Sequence, residues 1–240
     1  VFVYVMLTPN IETVIQYRIL DTVVGAGLAF IANYFFFPSW EFLTVRNFLE
    51  QSIKANRNYL KEISIYYNKK GEATTTYKLS RKEAFIEIGN LMNSFQRMTQ
   101  EPKSKQKNMR QVYKLVELNH TLLTASASLG TYIQTHATTK ASTTFNTVID
   151  AVIKNLEISI NILTNDEEQN NIISVSNTDL ELRFTELKNL RIKELQSNLD
   201  MNEVDYQLKI QETQLVLEQL IWLTGLSNKI IKASQNLNAA

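Results

Sequence analysis

The chain has no cysteine, two histidines, three prolines and six glycines among 240 residues. Without cysteine it has no disulfide framework and no thiolate metal site, and this usage is compatible with a cytoplasmic compartment. His120 and His136 stand sixteen residues apart, which is not metal-ligand spacing. There is no glycine-rich phosphate loop, no G-x-S-x-G elbow and no H-E-x-x-H pair. No residue nominates itself as catalytic, so the expectation is a protein that is not an enzyme, with no metal and no cofactor. The scarcity of Gly and Pro also argues against a turn-rich β protein, and no stretch of strand alternation is found.

What the chain does have is one long apolar run. Residues 20–37, LDTVVGAGLAFIANYFFF, carry a single ionisable group, Asp21. As a helix these residues reach roughly 27 Å, close to the hydrocarbon thickness of about 30 Å. The run closes with Phe35-Phe36-Phe37 and then Pro38-Ser39-Trp40, aromatic residues and a helix breaker of the kind found at a membrane–water interface. Residues 1–9 are apolar but too short to cross a bilayer, and they read as the end of an earlier span. Residues 10–19 are then expected to be a short outward-facing connection. Gly25 and Gly27 mark a face where another span could pack closely.

Beyond the run the chain is polar and helix-patterned. The organisation expected is 1–37 as the end of a transmembrane region and 38–240 as a helical-bundle domain. Arg18 is the one cation before the span, whereas Arg46, Lys54, Arg57 and Lys61 follow it within a few turns. Basic flanks stay inside, so residues 38–240 are expected in the cytoplasm, with the lipid bilayer as a partner. The net charge of +1 hides an asymmetry. Residues 38–110 hold 14 Lys/Arg against 7 Asp/Glu, and residues 111–240 hold 10 against 15. A solvated basic face near anionic headgroups accounts for this. The run Lys103-Ser-Lys105-Gln-Lys107 has no interleaved aromatics, so no nucleic acid is expected.

The apolar periodicity predicts an all-α fold, an antiparallel bundle of long helices. Phe42, Val45, Leu49, Ile53, Leu60, Ile63 and Tyr67 form one stripe over 39–67. Ser80-Arg-Lys-Glu83 reads as a capping box that opens a helix whose core face is Phe85, Ile88, Leu91/Met92, Phe95 and Met98, with Pro102 stopping it. Residues 104–136 put Val112, Leu115/Val116, Asn119, Leu122/Leu123, Ser126, Leu129 and Ile133 in phase. After a weakened joint at 135–144, Phe145, Val148/Ile149, Val152, Leu156, Ile160 and Leu163 form another stripe. Residues 165–177 are loop-like, and Thr178-Asp-Leu-Glu181 opens a helix through Leu199. Asp200–Asn202 is a turn. The last helix, 203–235, is expected to bury Leu208, Leu215, Ile221/Trp222 and Ile230.

Several words of the sequence are family-like. Arg18-Ile-Leu-Asp21-Thr22-Val-Val-Gly25 with Pro38-Ser-Trp-Glu41 resembles the last transmembrane helix of the fusaric-acid-resistance-like (FUSC) membrane proteins. Asn58-Tyr-Leu60, Arg81-Lys-Glu-Ala-Phe85, Phe95-Gln-Arg97-Met98 with Glu101-Pro-Lys103, and Leu118-Asn119-His120 are similar to the YccS/YhfK branch of that superfamily. The resemblance covers about residues 15–136. It implies a bacterial inner-membrane protein whose better-understood relatives export aromatic carboxylic acids and similar organic acids. The further partners implied are the remaining transmembrane helices of a full-length protein, with a homo-oligomer also open.

Two sites are expected on this basis. Arg18 and Asp21, at i and i+3, share a helical face and with Thr22 would line the mouth of an anion path. The alternative is a snorkelling arginine and a helix-start aspartate. Arg81, Arg97, Glu101 and Lys103 would form a cytoplasmic contact surface, with Arg97 and Glu101 paired; the alternative is solvated charge. The competing function is a membrane-anchored scaffold or signalling module with no transport activity.

Overall fold

The structure, a computed structural model, describes residues 11–32, 34, 40–69, 73–135, 143–164, 185, 189 and 203–239. It is all-α, and among the described residues it has six helices: α1 Ile11–Ile31, α2 Glu41–Lys69, α3 Thr75–Gln100, α4 Met109–Thr135, α5 Thr143–Thr164 and α6 Glu203–Asn238. The chain divides into two compact units, Val1–Trp40 and Glu41–Ala240.

In the first unit α1 starts nine residues earlier than the apolar run suggested. Residues 11–19, expected as a connection, are helix. IETVIQYRI holds no Gly or Pro, and Glu12 in the first turn suits the helix dipole. Hydropathy marks which residues tolerate lipid; it does not mark where a helix begins. The stretch long and apolar enough to cross a membrane is Glu12–Ile31, 20 residues with mean hydropathy 1.4 and no buried residue. An aromatic ladder follows its last turns: Phe30 stacks on Tyr34, and Tyr34 meets Trp40 edge-on, with ring centroids 6.1 and 5.9 Å apart. Residues 1–10 and Phe35 to Ser39 lie outside the described residues.

The second unit is built around α2, which packs on α3, α4 and α5, while α6 closes the bundle against α4 and α5. Directions follow from paired residues. Tyr59 meets Tyr77 and Glu41 meets Ser94, so α2 and α3 are antiparallel. Asn68 and Asn146 exchange amide hydrogen bonds of 2.7 and 3.0 Å, and Arg46 reaches the Leu163 carbonyl at 2.6 Å, so α5 also runs against α2. Asn155 meets Ser227, and Arg46 also takes the Asn238 carbonyl oxygen at 2.5 Å, so α5 and α6 run the same way.

The stripes expected on α2, α4 and α5 are buried as read, except Phe42, which is partly buried. Two stripes hold in part: Ile88, Leu91 and Met98 on α3 and Ile230 on α6 are buried as read. On α3 the buried residues are Tyr77, Ala84, Ile88, Leu91, Ser94 and Met98, while Phe85 and Met92 are about half exposed and Phe95 partly buried. Ala84 and Ser94 take inner positions alongside Tyr77, Ile88, Leu91 and Met98. On α6 the core is Val216, Leu220, Leu223, Leu226, Ile230 and Leu237, and Leu215, Ile221 and Trp222 are exposed. α3 also starts at Thr75, capped by the Thr74 hydroxyl on the Tyr77 amide at 3.2 Å. The Ser80 box therefore lies inside the helix, because an earlier threonine offers the same cap. The expected loop at 165–177, the helix from Thr178 through Leu199, the turn at Asp200–Asn202 and the side chain of Leu208 lie outside the described residues.

A polar layer crosses the middle of the bundle. Asn56 on α2 donates to the Asn119 carbonyl oxygens of α4, backbone at 3.2 Å and side chain at 3.4 Å. Asn155 on α5 donates to Ser227 on α6 at 3.0 Å. Arg57 and Glu157, 3.6 Å apart, put the two pairs at one level. Toward the far end Gly130 lets α4 come against the Tyr59–Tyr77 pair: a Cβ there would lie 2.7 Å from the Tyr77 hydroxyl and 3.1 Å from that of Tyr59. Gly89, by contrast, faces open space. Gly130→Val is therefore expected to destabilise the chain by about 1–3 kcal/mol through overpacking. Gly89→Ala is expected to stabilise it by about 0.5–1 kcal/mol through lower unfolded-chain entropy. Urea unfolding of both variants, followed by circular dichroism, checks the opposite signs.

Candidate functional site

The three residues of the expected anion path sit well inside α1. Asp21 is ten residues from the helix start, too far for the stabilisation by the helix N-terminus that a helix-start aspartate would enjoy. The Thr22 hydroxyl donates to the Arg18 backbone carbonyl at 2.7 Å, so it is engaged within its own helix. Among the described residues no ion pair joins Arg18 to Asp21, and all three side chains are exposed. A Cβ at Gly25 or Gly27 would meet nothing within 4 Å.

The residues of the expected contact surface separate into different environments. Arg81 lies over the Phe85 ring, 5.9 Å from its centroid. It is sixteen residues before Arg97, roughly 24 Å along the helix, and does not join the others. Arg97 does not pair with Glu101. Its guanidinium binds the carboxylate of Glu41, the first residue of α2. Glu101, the C-cap of α3, turns instead to the α2 backbone and accepts the Glu41 amide hydrogen at 2.6 Å. The i,i+4 spacing of Arg97 and Glu101 supposes that both remain helical. The chain leaves the helix at Glu101, which redirects its side chain.

The result is a reciprocal clasp. Glu41 also accepts from Ser94 at 2.8 Å and from Thr44 at 3.1 Å. The first amides of a helix have no intrahelical acceptor, and Trp40, just ahead of Glu41, offers no side-chain oxygen to cap them. Glu101 supplies that acceptor from another helix, with its charge at the favourable end of the dipole. The hydrogen bond from Arg97 holds the Glu41 carboxyl below its ordinary value, helped by Ser94 and Thr44 and opposed by burial. The same bond raises Arg97. Glu41 and Ser94 were not expected here; they are 53 residues apart, and no local pattern links them.

Lys103 stands exposed in the turn after α3. Along the outer side of α3 and α4 a groove of about 620 Å³ is lined by Gly89, Met92, Phe95, Tyr113, Val116 and His120 among others. His120 therefore faces outward, while its neighbour Asn119 is buried in the interhelical pair with Asn56. Tyr59, at the centre of the bundle, is held neutral far above the usual range by burial and its bond to Tyr77. No group of acidic, histidine or cysteine side chains suited to a metal occurs among the described residues.

With this geometry in view, comparison with known proteins is informative over half the chain. A stretch of 115 residues is 27% identical to the inner membrane protein YccS of Escherichia coli (strain K12), covering 48% of this chain and 16% of that protein. The chain is a distant, partial relative of an inner membrane protein. A stretch of 117 residues is 26% identical to an uncharacterized protein of Haemophilus influenzae, with the same shares of 48% and 16%. A shorter stretch of 87 residues is 30% identical to the uncharacterized protein ORF2 of Neisseria gonorrhoeae, covering 35% of this chain and 21% of that one. The stretch shared with YccS thus spans about a sixth of the relative's length. No family model and no solved structure matches.

Two substitutions test the clasp. Glu101→Ala is expected to cost about 1 kcal/mol, the typical loss of a helix cap. Glu41→Gln is expected to lower stability at neutral pH, and its deficit to shrink in acid. Because the folded-state pKa of Glu41 is depressed, its contribution is present above the unfolded carboxylate pKa and is lost as pH falls through the folded one. Unfolding midpoints of wild type and variant across that acid window make the check. A deficit independent of pH would show that the Glu41 charge is not what stabilises the junction.

Proposed function

We propose that this chain is the C-terminal part of an inner-membrane protein of the YccS/YhfK type in the FUSC superfamily. In this reading α1 is a transmembrane helix and Glu41–Ala240 is a cytoplasmic assembly or regulatory domain. The observation that carries the reading is α1 itself: a 20-residue apolar stretch with no buried residue, in a chain partly related to an inner membrane protein. An unburied apolar helix of this length is costly in water and favourable in hydrocarbon. The charge asymmetry across it supports a cytoplasmic second unit. The partners are the bilayer, the other spans of a full-length protein, and a second copy of the chain if the domain assembles. In this role the chain is not an enzyme and needs no cofactor.

The finer proposal is that the full-length protein exports organic acids, aromatic carboxylates among them, as the FUSC resemblance implies. The competing reading is a membrane-anchored scaffold or signalling module. It draws on the Thr22 hydroxyl, which is bonded to its own backbone rather than offered to a ligand.

Topology is checked with reporters fused after Ala240. Green fluorescence, inactive alkaline phosphatase and resistance of the fusion to carbonate extraction are expected. Release by carbonate, or active phosphatase, would overturn the reading. Transport is checked in cells expressing the full-length gene. Arg18→Ala is expected to reduce resistance to an aromatic carboxylic acid severalfold at unchanged membrane abundance. Equal resistance of variant, wild type and gene deletion would favour the scaffold.

A further inference from the structure

The turn between α3 and α4 presents lysines at a defined place in the bundle. Hydrogen bonds fold it back on itself: the Lys105 amide to the Pro102 carbonyl at 2.8 Å, and the Lys107 amide to that of Lys105 at 3.0 Å. Gln106 points inward and donates to the carbonyls of Thr99 and Glu101 at 2.9 and 2.7 Å. Asn108, with φ 52, takes the left-handed conformation that swings the chain into α4, and its carbonyl accepts the Val112 amide at 3.0 Å. With Gln106 turned in, Lys103 and Lys107 are left exposed on either side of half-buried Lys105, and exposed Arg110 follows in the first turn of α4.

The position of this turn matters more than its charge. It lies beside the start of α2, fastened there by the bond from the Glu41 amide to Glu101, and Lys107 sits 5.9 Å from the centroid of the Phe42 ring. In sequence, nine residues separate the last residue of α1 from Glu41. The lysines thus occupy the end of the bundle at which the chain arrives from its apolar helix. On the same first turn of α2, Leu43 is 69% exposed. Glu41 is paired with Arg97, and the charge of Glu101, bonded to a backbone amide, offsets part but not all of the positive charge of exposed Lys103, Lys107 and Arg110.

We infer that the Lys103–Lys107 turn, with Arg110 and Leu43, docks this end of the bundle onto anionic phospholipid headgroups. Exposed cations of a juxtamembrane segment are drawn to an anionic leaflet, each by an amount equivalent to about a fivefold change in partition. Leu43 adds an apolar side chain at the depth where headgroups meet acyl chains. The turn is pre-ordered by its own hydrogen bonds, so little conformational freedom is lost on docking. This surface deepens the membrane-anchored reading above and rests on it.

The absence of cysteine makes a direct experiment available. Ser104→Cys, Val24→Cys and Leu79→Cys each give the full chain one site for a spin label: on the turn, on α1, and on α3 near the opposite end of the bundle. Each labelled chain is reconstituted into nanodiscs of phosphatidylglycerol mixed with phosphatidylcholine, or of phosphatidylcholine alone. Collision with a water-soluble nickel complex and with oxygen reports depth. Docking predicts that the label at 104 is shielded from nickel in the anionic discs, and that the shielding is lost in phosphatidylcholine or high salt. The label at 79 should be open to nickel throughout. Lys103→Gln with Lys107→Gln and Arg110→Gln should weaken docking on the order of a hundredfold. Equal exposure of the label at 104 in both lipids, with the label at 24 buried in hydrocarbon, overturns the docking surface and leaves the span intact. A label at 24 open to nickel while 104 is shielded overturns the span instead.

Discussion

The carboxylate of Glu101 accepts from the backbone amide of Glu41, and the carboxylate of Glu41 reaches back to Ser94 and Arg97. This exchange fastens the first turn of α2 to the last turn of α3. α2 is the helix against which α3, α4 and α5 are all packed. Its starting point sets the level of Asn56 against Asn119, of Tyr59 against Tyr77 and of Arg46 against the end of α5. A helix end without acceptors for its first amides frays. Here the acceptor comes from a neighbouring helix, so the end of α2 and the packing of α3 form together.

The middle of the bundle also leaves polar atoms without a protein partner, as the clasp does at Glu101 Oε2. Asn56 and Asn119 are essentially fully buried, and each keeps one polar atom, Asn56 Oδ1 and Asn119 Nδ2, without a protein partner. Each such atom costs roughly 1–3 kcal/mol relative to a satisfied one. An all-aliphatic layer would be more stable, yet it would also accept helices shifted by a turn. A buried asparagine pair penalises the shifted register more than the native one, as a single buried Asn does in a coiled coil. Across the bundle at the same level, Asn155 donates to Ser227 and Asn228, and the Ser227 hydroxyl donates to the Thr224 carbonyl. One half of the layer is thus energetically cheap and the other half costly.

The two units differ in how their apolar residues are covered. The second unit encloses a continuous aliphatic and aromatic core that α2 to α6 all contribute to. α1 has no such core; Tyr17, Val23, Leu28 and Phe30 each expose more than half of their surface. Its aromatic ladder, Phe30 through Tyr34 to Trp40, is what an interface between hydrocarbon and water selects. A chain that contains one well-packed bundle and one bare apolar helix is suited to a boundary.

Helix content, the single apolar helix and the inward faces of α2, α4 and α5 were legible in the residues. Each of those faces is a stripe of large aliphatic residues at helical spacing, and burying it is worth more than any alternative orientation. The inward face of α3 was legible only in part: Ile88, Leu91 and Met98 are buried as read, whereas Ala84 and Ser94 also take inner positions and Phe85 and Met92 stay at the rim. Hydropathy ranks side chains by their cost in water, but close approach of backbones ranks them by volume. Nor could local spacing assign Arg97 and Glu101 their partners. Both lie within one turn of the place where α3 ends, and both bind Glu41, some 60 residues away in sequence. The residues by themselves determined which parts avoid water. Tertiary structure alone decided which charges meet, because an ion pair depends on distances of a few ångströms that a fold sets and a sequence pattern does not.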